Sequence, residues 1–177
     1  VDYTDEEREA HNLLREYADS LGSIVEGTKN AFGGRFVLTL LKKRLFSSPR
    51  AFAFTLEKHR ETISGRKKHS TSQIMDERIL HKAIARLEDD SGNDEEYERS
   101  MDEAVEVAST PSIKLTPDCQ KILDKLTIWA EKAKGRPDSK AKAIIGWLDH
   151  HLRPDGKWNN ERVILFTEYR STHSWLY

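Results

Sequence analysis

Most apolar residues along this chain recur at the spacing of amphipathic helices, and the one apolar run that does not constrains the fold most. Val163, Ile164, Leu165 and Phe166 follow one another without a polar break between Arg162 and Thr167. The run is too short for a helix, and it is rich in β-branched and aromatic residues. The turn residues Pro154, Asp155 and Gly156 precede it, and the polar tip Glu168 to Ser171 follows. An unbroken apolar strand belongs where both faces are covered, as inside a parallel sheet. The sequence therefore predicts a buried strand over 162–167 that turns at its tip into a new helix. Helices before it and a βα start at the end describe a mainly α chain: a helical bundle of about six or seven helices, followed by the first strand of a truncated α/β lobe. No autonomous domain is expected to stop there, so the 177 residues, which open on Val1, are expected to be a piece of a larger protein.

Caps and stripes mark the helices. Thr4 and Glu7 form a capping-box pattern ahead of Ala10, Leu13, Leu14, Tyr17, Ala18 and Leu21, with Gly22 as the stop. Residues 23–34, with Gly27, Gly33 and Gly34, read as loop. A second helix is predicted over 35–46 and a third from Pro49 to Ile63, with Ser48 as its cap. A fourth is predicted over 73–88. Residues 97–108 could continue as helix, although their apolar face is thin. Thr116 and Pro117 open a helix to about Lys134 that turns Leu123, Leu126 and Trp129 inward. A last one follows Asp138, with Ala141, Ile144, Ile145, Leu148 and Leu152 inward.

The charge is unevenly spread. Residues 42–68 hold nine Lys or Arg against two Glu, whereas residues 86–106 hold ten Asp or Glu against two Arg. With 33% charged residues and no long apolar run, the sequence predicts neither a membrane span nor a signal peptide. The single Cys119 has no intramolecular partner, which points to a reducing, cytoplasmic setting.

Asp138, Ser139 and Lys140, then a helix and turn, then Glu161 to Arg170, together resemble the entry to the second RecA-like lobe of superfamily-two helicases, most similarly the bacterial Swi/Snf-type ATPases. Residues 163–167 resemble the fourth helicase motif, residues 40–52 the helical stretch between the lobes, and residues 3–9 the way the chain resumes after the first lobe. The resemblance implies an inter-lobe helical region over 1–64, a charged linker or helical hairpin over 65–116, helices leading into the second lobe over 117–153, and a truncated RecA-like lobe over 154–177. It implies a parent that hydrolyses ATP with Mg and moves on DNA, nucleoid-associated in a bacterial cytoplasm. Its partners would be the DNA backbone and the remainder of the motor lobes. No phosphate loop, magnesium motif or arginine-finger motif occurs in these residues, and Gly33-Gly34-Arg35 is no substitute. No cofactor or catalytic residue is therefore assigned to this chain itself.

The resemblance places Lys140, Thr167, Tyr169 and Arg170 on the nucleic-acid path. Read from the residues alone, Lys140 is an exposed lysine beside a capped helix start, and 167–170 a surface loop capping the next helix. The alternative is that Lys140 meets a phosphate at that helix start and that Tyr169 and Arg170 touch phosphate or sugar. The basic run reads as a solvated face or a phosphate-binding one, and Phe46, Phe52 and Phe54 read as core. The acidic segment 88–106 reads as a solvated linker or hairpin, or as a brake covering the basic surface. Trp129 and Trp147 read as core, and Trp158 as a cover over the strand's start. His150 and His151 point apart, as helix neighbours do, so no metal site is expected there. The lone strand is expected to be buried against the helices, to pair with another copy, or to be poorly ordered. The rival to a motor fragment is a helical interaction or regulatory module, with its charged blocks binding protein partners.

Overall fold

A computed structural model describes residues 1–28, 30–65, 85, 94–109 and 113–177. The predicted helix over 73–88 lies outside these residues, except for Ala85. Within them the protein is mainly helical, with seven α-helices: α1 Asp5–Val25, α2 Ala31–Ser47, α3 Pro49–Ile63, α4 Asp94–Ala108, α5 Pro117–Ala133, α6 Ser139–Leu152 and α7 Arg170–Leu176. A single 3-10 turn, Pro154–Gly156, follows α6.

The helix starts form as their caps dictate. The Thr4 hydroxyl accepts from the Glu7 N–H, and the Glu7 carboxylate accepts from the Thr4 N–H at 2.7 Å. Ser48 caps α3 and Thr116 caps α5, each with proline in the first turn, and Asp138 caps α6. Gly22 does not end α1. The helix runs on to Val25, and Gly27 takes the positive φ just beyond it. Nor are Gly33 and Gly34 loop residues: both lie buried inside α2. A Cβ at Gly34 would come within 3.0 Å of a Val25 methyl carbon, so the glycine lets the end of α1 approach the start of α2. The Gly34 N–H donates to the Asn30 carbonyl at 2.9 Å, as a residue inside a helix does.

Helices α1 to α5 pack around one core. Helix α2 lies against α1 and α3, α5 against α1 and α3, and α4 against α2 and α3. Tyr17, Leu21, Leu40, Leu41, Phe52, Leu56, Leu123 and Leu126 fill the interior. Each such side chain contributes about 1.5–3 kcal/mol of burial. The sequence allows a helix at α4 with a thin apolar face, in a charged linker or hairpin; it is a helix, and that face reaches the core. Met101, Ala104, Val105 and Ala108 are fully buried along one stripe. Glu98, Asp102, Glu103 and Glu106 lie off that stripe, and four small or flexible apolar residues suffice to seat the helix against α2 and α3. Segment 65–116 therefore contributes a helix to the bundle formed with residues 1–64.

A buried polar network crosses the core. The Tyr17 hydroxyl lies 2.7 Å from His59 Nε2, and His59 Nδ1 lies 2.6 Å from the Ser109 hydroxyl. Burial holds the His59 imidazole down at a pKa of about 4, so it is neutral at pH 7, with one ring nitrogen donating and the other accepting.

The C-terminal part departs most from expectation. Helix α7 docks on α3 and α4. Helix α6 is held chiefly by its first turn and by the 3-10 turn that folds back on it. Of its predicted inward residues only Ala141 is buried, while Ile145 and Trp147 are exposed. Trp147 stacks on His151, and Trp158 lies open beside Arg153 rather than over residues 162–167. Those residues form no strand, and they are not buried against the helices: Ile164 is 77% exposed and Phe166 91%. A strand needs a neighbour for its N–H and C=O groups, and the described residues supply none. Among the described residues no helix is long and apolar enough to cross a membrane.

Candidate nucleic-acid interface

The corner between α2 and α3 is where the expected site residues gather. Ser47 and Ser48 break the helical run, Pro49 restarts it, and three carbonyls at the end of α2 lack intrahelical partners. Lys140 reaches this corner from α6. Its ammonium donates to the Phe46 carbonyl and, at 3.0 Å, to the Ser47 carbonyl. The lysine thus caps α2, where the helix dipole favours a cation. The neighbouring Ser139 donates its N–H to Glu7 at 2.7 Å and its hydroxyl to the same carboxylate. Burial alone would raise the Glu7 carboxyl; hydrogen bonds from Ser139 and Thr4 outweigh it and hold the pKa at about 2. Asp138, Ser139 and Lys140 therefore form a clasp joining the start of α6 to α1 and α2.

Helix α7 reaches the same corner from the other side. The Thr172 hydroxyl lies 2.7 Å from that of Ser47 and 2.8 Å from that of Ser48. Tyr169 is 1% exposed, with the Arg44 guanidinium 3.9 Å above its ring, so it presents no surface to a ligand in this arrangement. Thr167 donates its hydroxyl to the Tyr169 carbonyl at 3.2 Å and shapes the turn into α7. Arg170 is the exposed member of the expected set. It lines a cleft of about 210 Å³ with Arg44, Arg50, Phe54, Glu98 and Ser171.

The basic run meets the acidic helix here. Arg44 contacts Glu98 at 3.4 Å, Lys58 pairs with Asp102, and Lys43 lies 3.8 Å from Glu168. Through Arg44–Glu98 and Lys58–Asp102 the two opposed charge blocks neutralise each other in part; Lys42 and Arg50 are exposed, as is Lys43 beside Glu168. Phe52 is core as expected, whereas Phe46 and Phe54 are exposed among these cations. Phe46 packs beside His11, and the Lys58 ammonium lies 6.0 Å from the Phe54 ring. Arg44 carried a legible signal: it follows Val37, Leu40 and Leu41 on the inward stripe of α2, and a buried arginine requires an acid. Arg50 and Phe54 carried none, because one turn of spacing looks alike on an inner or an outer face.

Among the described residues no group of three His, Cys, Asp or Glu is placed to share a metal ion. No protein-family model, curated protein or solved structure matches the chain.

Proposed function

We propose that this chain is the inter-lobe helical region and second-lobe threshold of a Swi/Snf-type, ATP-driven DNA translocase. In this reading it binds backbone phosphates and transmits lobe movement, without hydrolysing ATP itself. The observation that carries the reading is the bare apolar surface of residues 163–166, together with the preceding helix, α6, whose Ile145 and Trp147 are also uncovered. A helix and an extended apolar run left open together are what the edge of an α/β lobe looks like before its sheet is completed. The surface cations Lys42, Lys43, Arg50 and Arg170 give the same end of the bundle a phosphate-seeking face.

Fluorescence anisotropy with a labelled 20-base-pair duplex tests the DNA role. Binding is expected at 50 mM salt and should weaken steeply toward 200 mM; no binding at the lower salt removes the role. Reading the coding sequence on both sides tests the motor, since a phosphate loop and magnesium motif upstream and an arginine-finger motif downstream are required. The rival reading, an interaction module without a motor, draws on the same apolar surface. Flanks without those motifs, together with duplex binding no stronger than that of an unrelated protein of equal charge, would favour it.

A further inference from the structure

Three arginines from three elements meet in the cleft between α3, α4 and α7. Arg44 comes from α2, Arg50 from α3 and Arg170 from α7, with Ser171 and Ser174 beside them. Two carboxylates share the cleft, and each is already held. Asp102 pairs with Lys58. Glu98 accepts from Arg44 at 3.4 Å and from the Ser171 N–H at 3.1 Å. The Ser171 hydroxyl accepts from the same arginine nitrogen at 3.4 Å. A guanidinium, a backbone N–H and a hydroxyl around one anion are the donors that hold a phosphate. Arg44 is only 3% exposed, and its Nε has no hydrogen-bond partner among the described residues. Buried donors of this kind are nearly always used, and Glu98, which meets the arginine at a different nitrogen, does not satisfy this one.

We propose that this cleft is a phosphate-binding site, with Arg44 and Ser171 as its floor, Arg50 and Arg170 as its rim, and Glu98 as an internal competitor. The Glu98 carboxylate occupies the anion position until a phosphate displaces it. Only that side chain has to turn, because Met101, Ala104 and Val105 keep α4 anchored in the core. The phosphate is a backbone phosphodiester if the DNA reading above holds, on which that part of the inference rests, and a free phosphate otherwise.

The test uses the whole chain with three variants: Arg50→Ala with Arg170→Ala, Glu98→Gln, and Lys121→Ala with Lys125→Ala as a charge-matched control on the exposed face of α5. Duplex affinity at 50 mM salt should fall at least tenfold in the arginine pair and much less in the lysine pair. The slope of log affinity against log salt should drop by roughly two in the arginine pair. Glu98→Gln should bind several-fold more tightly. In parallel, inorganic phosphate should raise the unfolding temperature relative to chloride at equal ionic strength, and the arginine pair should abolish that rise. Duplex binding indifferent to both the arginine pair and Glu98→Gln overturns the site while leaving the DNA reading intact. A phosphate-dependent rise lost in the arginine pair, without duplex binding, keeps the site and removes the DNA reading. No response to either probe overturns both.

Discussion

Glu7 closes the first turn of α1 and the first turn of α6 with one carboxylate. Its folded pKa of about 2 lies below the usual carboxylate range, so the stabilisation is complete above about pH 4.5 and is lost as pH falls toward 2. The group is largely in solvent, so screening limits the contribution to about 1 kcal/mol. Glu7→Ala should cost about 1–2 kcal/mol in urea unfolding, and amide exchange should quicken at the start of α6. His59 acts in a different window. Its folded pKa of about 4 lies below its ordinary value near 6.5, so the unfolded chain takes up the proton first as pH falls. Stability is full above pH 6.5 and declines by up to about 3 kcal/mol by pH 4. His59→Gln should be less stable at pH 7, yet its unfolding free energy should stay nearly flat between pH 6.5 and 4.5. An equally steep decline in that variant would show that another group carries it.

Among the elements, α4 separates composition from structure most clearly. Ten acids in its neighbourhood suggested a solvated linker, yet Met101, Ala104, Val105 and Ala108 stand three or four residues apart and all reach the core. Met101→Ala should therefore destabilise the protein by about 2–4 kcal/mol, whereas a linker position would change it by less than about 0.5 kcal/mol. The capped helices α1, α3, α5 and α6 were legible because their signals are local: a side-chain oxygen, an N–H three residues on, a proline in the first turn. The start of α2 was not legible, because Gly33 and Gly34 carry a loop signature that the contact with Val25 overrides. The end of α1 misled in the same way. A Cβ at Gly22 meets nothing within 4 Å, so Gly22→Ala should stabilise the protein by about 0.5–1 kcal/mol, measurable by thermal unfolding. As for the candidate site, only the family resemblance grouped Lys140, Tyr169 and Arg170, and it did so as an expectation. The capping role of Lys140 and the burial of Tyr169 depend on partners more than ninety residues away, at Phe46, and more than a hundred away, at Arg44. No local spacing encodes such contacts.

On the scale of the whole molecule, a well-filled bundle carries an uncovered apolar side. Val163, Ile164, Leu165 and Phe166 satisfy the pattern of a buried strand but not its surroundings, since strand formation depends on a second polypeptide edge. In isolation this surface should drive self-association. Sedimentation velocity is expected to show larger species as concentration rises, and Ile164→Asp with Phe166→Asp should remain monomeric with stability changed by less than about 0.5 kcal/mol. A double variant that associates like the parent chain would place the contact elsewhere.

The clasp at Glu7 and Lys140 has a mechanical consequence. It fixes one end of α6 to the bundle, while the other end meets mainly its own 3-10 turn. A helix of 14 residues is about 21 Å long at 1.5 Å per residue, so tilting it by about 10° around that pivot carries its far end through about 4 Å. Helix α6 thus has the geometry of a lever: a tilt of that size about its clasped end would become, at Leu152, a displacement comparable to the spacing between neighbouring strands.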